Sequence, residues 1–207
     1  MSILIQHGTV IDGTGKKGYT ADVLIDGDRI RAIGQIEPSG EMQCVDASGC
    51  VVAPGFIDTH SHSDIEVLQD SRVLPKVMQG VTTEILGQDG ISVAPLPEEY
   101  IATWRHNLAG IGEDSDRIDW HYHTTAGYLE RVRAAQPGIN ECYLVPHGNI
   151  RMEAMGLENR QPSAAELQKM ADITRREMEG GAVGLSSGLI YLPCVYGGKE
   201  ELVTMCR

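Results

Sequence analysis

Two rhythms of apolar and polar residues divide this chain near residue 52. Up to that point apolar positions alternate with polar ones in short runs, Ile3 to Ile11, Ala21 to Ile25, Arg29 to Ile33 and Gln43 to Asp46. Alternation with period two, broken by turn residues, is the signature of half-buried strands. Asp26-Gly27-Asp28 lies between two of the runs and predicts a tight reversing turn, because Asp-Gly tolerates positive φ. Residues 1–52 therefore read as a small β-rich domain.

Beyond it, strand and helix patterns alternate. Val51 to Asp58 predicts one buried strand, passing through Pro54-Gly55 into Phe56-Ile57. A helix over about Ile65 to Met78 stops at Gly80, and a strand from Val81 to Leu86 ends in Gly87-Gln88-Asp89-Gly90. Pro97 and two acids open a helix from Glu98 to Ala109. Residues 110 to 123 are acidic and aperiodic and read as a surface insertion. A helix at Thr125 to Ala135 precedes a strand at Glu141 to Val145 that ends at Pro146-His147-Gly148-Asn149. Ser163-Ala164-Ala165-Glu166 has the capping-box pattern and opens a helix to about Glu179. Ala182 to Leu185 then forms a fourth strand before Ser186-Ser187-Gly188, and the last residues begin another helix at Lys199.

This order predicts an α/β fold with a parallel sheet and crossover helices over residues 53–207. Four strand-helix units are half of an eight-unit barrel, which takes about 250 residues. The chain is thus expected to be the N-terminal portion of a longer protein, with an activity that needs the remainder.

Composition narrows the partners. Among 207 residues, 29 Asp and Glu oppose 17 Lys and Arg, a formal net charge of −12, which disfavours nucleic acid and anionic membrane surfaces. No stretch approaches the roughly 18 apolar residues of a membrane span, and the N-terminus lacks the basic start and apolar core of a leader, so a cytoplasmic location is expected. The 5 cysteines are an odd number without a Cys-x-x-Cys, which predicts mostly buried, reduced thiols.

The candidate chemistry begins at Asp58-Thr59-His60-Ser61-His62-Ser63-Asp64, where polarity appears abruptly after the apolar strand. Side chains two apart on a strand share a face about 7 Å apart, so His60 and His62 can converge on one cation. Imidazole suits zinc and other borderline divalent metals. His121-Tyr122-His123 has the same spacing but no apolar strand before it, and reads as solvated or structural. In a barrel the active site lies at the carboxyl ends of the strands, where Asp89, His147, Ser186 and Tyr191 also fall.

Pro54-Gly55-Phe56-Ile57-Asp58-Thr59-His60-Ser61-His62 resembles the first barrel strand of the metal-dependent amidohydrolase superfamily, in which both histidines bind metal. Ile5-Gln6-His7-Gly8-Thr9-Val10-Ile11-Asp12-Gly13-Thr14-Gly15 is similar to that family's opening. Gly80-Val81-Thr82-Thr83-Glu84 and Gly184-Leu185-Ser186-Ser187-Gly188-Leu189-Ile190-Tyr191 are similar to its D-aminoacylase branch, which deacylates N-acyl-D-amino acids.

The resemblance implies a TIM-like (β/α) barrel preceded by a small β-sandwich, a divalent metal cofactor, zinc in the first place, and a small N-acyl amino acid as substrate. Asp89 stands where those enzymes carry a ligating cysteine, and is expected either to replace it as ligand or to serve the turn. His147 lines the substrate pocket or is hydrogen-bonded within the barrel mouth. Ser186 and Tyr191 bind the acyl or carboxylate end of the substrate, or the glycine-rich turn merely lets the backbone bend. Arg151 pairs with a substrate carboxylate or is solvated, and Asp58 and Asp64 are candidates to orient a ligating histidine. Two other readings stay open: a cyclic-amide hydrolase of the hydantoinase or dihydroorotase type, and a non-catalytic assembly protein on the same barrel.

Overall fold

The computed structural model describes residues 2–111 and 116–207, which form two compact units, Met1–Gly55 and Phe56–Arg207. The first is a five-stranded sheet of β1 (Ser2–Val10), β2 (Tyr19–Asp26), β3 (Arg29–Gly34), β4 (Met42–Asp46) and β5 (Val51–Val52). β1 pairs antiparallel with β2, which pairs antiparallel with β3, while β4 and β5 both run parallel to β1. The hairpin forms where Asp-Gly predicts it, with Asp26 opposite Arg29 and Gly27 at φ 60°. Val10, Ala21 and Val23 form the buried centre, with Ile5, Ile25 and Val52 packed on them.

The expected strand from Val51 to Asp58 is in fact two. Val51 and Val52 pair with Thr9 and Val10, and a new strand, β6 (Phe56–Asp58), opens the second unit. Pro54 between them has no N–H to give a ladder, so pairing breaks there.

In the second unit β6, β7 (Val81–Leu86), β8 (Asn140–Pro146) and β9 (Gly184–Ser186) lie side by side, all parallel. The fold is mixed α/β with a curled parallel sheet. Its helices are α1 (Glu66–Gln69), α2 (Leu74–Val77), α3 (Ile101–Leu108), α4 (Thr125–Ala135), α5 (His147–Met155), α6 (Ala164–Glu179) and α7 (Lys199–Met205). The single helix expected over 65–78 is broken into α1 and α2. Val73 adopts a left-handed conformation there, and Pro75 in the first turn of α2 cannot continue a preceding helix.

α5 is a helix the hydrophobic pattern does not announce: His147 through Met152 are all buried, so no polar face marks it. The capping box of Ser163 and Glu166 forms as expected at α6. Leu86, Trp104, Tyr128 and Tyr143 anchor one core, and Val145, Ile150 and Met170 a second. Of the segment 110–123, expected at the surface, residues 112–115 lie outside the described ones. Trp120 and Tyr122 are buried in the first core, which corrects the reading of that stretch as a surface insertion. The thiols also differ from expectation, since Cys44, Cys50 and Cys206 are exposed and only Cys194 is buried. Among the described residues no helix is long and apolar enough to cross a membrane.

Candidate metal centre

β6 stops at Asp58, so the strand itself does not deliver His60 and His62 as the alternation argument supposed. The loop beyond it does. Asp58 accepts a hydrogen bond from the His60 backbone N–H (3.2 Å), and Ser61, between the two histidines, donates to the buried Glu84 of β7 (2.6 Å). Lys76 ties these groups together, binding Asp58, Glu84 (3.1 Å) and the Ser61 hydroxyl (3.0 Å). The two imidazoles consequently stand edge to face with centroids 5.4 Å apart.

The third group comes from the turn after β7. Gly87, Asp89 and Gly90 all have positive φ (74°, 58° and 72°), and Asp tolerates that region better than most residues with a side chain. The turn directs the Asp89 carboxylate at both histidines, with Oδ2 3.4 Å from His60 Nε2 and 3.3 Å from His62 Nε2. One donor atom from each of the three lies within 4.8 Å of the others. Ligands about 2.1 Å from a tetrahedral ion stand about 3.4 Å apart along an edge, so the carboxylate-imidazole spacings fit one. Two imidazoles and a carboxylate also suit a borderline or moderately hard divalent ion. His62 and Asp89 are partly buried, while His60 stays exposed on the open side.

A sequence profile of the amidohydrolase family matches residues 43–203. The chain belongs to this family. Over 99% of its length it is 36% identical to a D-aminoacylase of Alcaligenes xylosoxydans xylosoxydans, and over its whole length 38% identical to an N-acyl-D-glutamate deacylase of the same organism. It spans 41% of the length of each. The crystal structure of the N-acyl-D-glutamate deacylase of Bordetella bronchiseptica, with zinc and a phosphonate inhibitor that mimics the reaction's tetrahedral intermediate, superimposes with a TM-score of 0.86 at 36% identity. That match covers 98% of this chain and 41% of the other.

In this amidohydrolase the remaining candidates occupy different places. His147 is wholly buried at the start of α5, its Nε2 2.6 Å from Glu201 Oε1 and its Nδ1 2.9 Å from the Ser187 hydroxyl. Burial opposes its charge, but Cys194 and Glu201 beside it hold its pKa up, at about 9. Arg151, one turn on, is no surface residue: its guanidinium is buried against Glu201 and the carbonyls of Glu158 (3.3 Å) and Arg160 (2.5 Å). Ser186 is buried, whereas Tyr191 is exposed and borders a cleft of about 250 Å³ with Ile91, Trp104, Leu108, Ile190 and Leu192.

Asp64 is buried beside the histidine loop and accepts from the Gly87 N–H (3.0 Å) and from the Ser92 hydroxyl. Burial raises its pKa to about 6 against those two hydrogen bonds. His121 and His123 contact Glu98 and Asp119 at the surface, in keeping with a solvated pair. Sequence reasoning missed Glu84 and Lys76, which fix the histidine loop. Glu84 is the one charged residue of β7, whose other residues are Thr or aliphatic, and that was the available signal.

Proposed function

We propose that this chain carries part of the active site of a metal-dependent hydrolase of linear amides that removes the acyl group from N-acyl-D-amino acids. The observation that carries this reading is the convergence of His60, His62 and Asp89 in the described geometry. Kinship with two N-acyl-D-amino acid deacylases supports the choice of substrate class. In the same reading the parallel sheet is the first half of a TIM-like (β/α) barrel, residues 1–52 belong to a flanking β-sandwich, and residues 53–207 to the barrel.

His60, His62 and Asp89 would hold a divalent cation, zinc in the first place as in the Bordetella relative. When bound, such an ion supplies Lewis-acid polarisation of an amide carbonyl and makes water more acidic. The residues of this chain hold the donors rigid. Lys76 and Glu84 fix the histidine loop, and the turn after β7 aims Asp89. Tyr191 and the apolar cleft beside it would receive the acyl or side-chain end of the substrate, with Ile91 placing that cleft two residues from Asp89.

The test is cation content. In the full-length protein, His60→Asn with His62→Asn should remove bound metal and hydrolysis of an N-acetyl-D-amino acid while leaving the circular dichroism spectrum unchanged. Asp89→Asn separates ligand from turn former, since Asn serves a turn without the charge. A full complement of metal with near-parental turnover in Asp89→Asn would remove Asp89 from the site, and the same result in the double histidine variant would end the proposal.

A further inference from the structure

The Ser186 hydroxyl is used twice. It donates to the carbonyl of Gly87 (2.5 Å) and accepts from the N–H of Gly90 (3.0 Å). These are the two ends of the turn that carries Asp89. A hydroxyl has one proton to give, and the proton of Ser186 is spent on Gly87. Gly87, Gly90 and Ser186 are buried, so water does not replace either bond.

The turn is gripped from the other side as well. Gln88 Nε2 donates to the carbonyls of Thr59 (3.0 Å) and Ile85 (2.8 Å), and Asp64 takes the Gly87 N–H. On the β9 side the fit is so close that a Cβ at Gly188 would lie 2.3 Å from the Asp89 carbonyl oxygen. Ser186 is the residue that turns this close approach into a fixed registration, because among the described residues its side chain is the one that joins both ends of the turn. Asp89 meanwhile sits at φ 58°, ψ 16°, a left-handed conformation that Asp tolerates but that still favours glycine, so the neighbouring contacts help to hold it.

We propose that Ser186 is a positioning residue: by bridging Gly87 and Gly90 it sets the Asp89 carboxylate against His60 and His62, and it does not touch the substrate. The proposal rests on the reading of these three side chains as a cation site. Removing the hydroxyl leaves a buried carbonyl and a buried N–H without partners, which the turn relieves by moving. A movement of about 1 Å takes Oδ2 out of the spacing that two ligands of one ion require.

A double-mutant cycle tests it, with Ser186→Ala, Asp89→Ala and the pair, each titrated as the metal-free protein with Zn²⁺ by calorimetry and with Co²⁺ by visible absorption. Ser186→Ala should weaken Zn²⁺ binding by about 10- to 100-fold, the usual consequence of losing a group that orients a ligand. That loss should vanish in the Asp89→Ala background. Ser186→Thr, which keeps the hydroxyl, should recover most of the affinity, and in the full-length enzyme Ser186→Ala should leave KM for an N-acetyl-D-amino acid near the parental value while kcat falls. Should the alanine variant fail to fold, Ser186→Cys, with its weak donor, enters the same cycle with the same expectation.

Lowered affinity in Asp89→Ala beside parental affinity in Ser186→Ala, additive losses in the pair, or a raised KM with unchanged Zn²⁺ binding would each overturn the role given to Ser186. Parental affinity in Asp89→Ala would overturn the cation-site reading and this proposal together.

Discussion

The buried trio of His147, Arg151 and Glu201 makes a demanding test of how this unit is held together. All three side chains are fully buried, and Glu201 from α7 is the carboxylate that both cations of α5 share. Glu201→Gln keeps the shape and removes the charge. Arg151 then keeps the carbonyls of Glu158 and Arg160 and a neutral amide oxygen at 201, but no carboxylate faces its buried charge, and among the described residues its Nε has no hydrogen-bond partner. Breaking a buried pair by removing one member costs about 3–5 kcal/mol. That is a large share of the roughly 5–15 kcal/mol by which domains are stable.

The pH dependence fixes the sign independently. The folded pKa of His147 is raised to about 9, so the folded state binds this proton more tightly than the unfolded chain does. Its contribution is fully present below the ordinary histidine pKa of about 6.5 and is lost as pH rises through about 9. Glu201 is the opposite case. Burial raises its pKa, but His147 and Arg151 outweigh this and leave it lowered, so its contribution is present above the ordinary carboxylate range and lost in acid. Urea unfolding followed by far-ultraviolet circular dichroism at pH 6.5 and pH 9.5 measures the His147 effect, and a third series at pH 4 measures that of Glu201. The parent should lose stability between the two pH values, and Glu201→Gln should be weaker at pH 6.5 with a flatter dependence above it. A loss under about 1 kcal/mol at pH 6.5, or an unchanged slope, would refute the reasoning.

Glu141 faces Glu84 across β7 and β8, and the two carboxyl groups lie close enough to share a hydrogen bond when Glu141 is protonated. Burial first, and then Glu84, raise its pKa to about 9, so its ionisation opposes folding as pH climbs toward that value. Glu141→Gln, whose amide can donate to Glu84, should therefore raise the melting temperature above pH 7 by the equivalent of about 1 kcal/mol, and a lower melting temperature would contradict this. In the full-length enzyme, Tyr191→Ala should raise KM for an N-acyl-D-amino acid by about 10-fold, roughly 1.4 kcal/mol of lost contact, with little change in cation affinity. An unchanged KM in steady-state kinetics would remove Tyr191 from the substrate cleft.

The order of elements was legible in the sequence because it is written in local chemistry. Alternation marked β1 to β4, Asp-Gly marked the hairpin, and Ser163 with Glu166 marked the start of α6. His60 and His62 could be singled out because polarity breaks in directly after an apolar run. Other features depend on partners far along the chain, and no local pattern encodes them. Val51 and Val52 read as the start of a barrel strand, yet they pair with Thr9 and Val10, a choice made by which edge of β1 was free. α5 was invisible because burial on all sides erases the amphipathic period. Arg151 looked solvated until Glu201, fifty residues later, came to lie against it. The role of Asp89 likewise could not be read from Gln88-Asp89-Gly90. Its carboxylate meets His62 from 27 residues away, and the turn that aims it is closed by a hydroxyl 96 residues from Gly90. Sequence determines which groups are present and which local conformations they favour, whereas the convergence of donors is set by the packing of β6, β7, β8 and β9 in one parallel sheet.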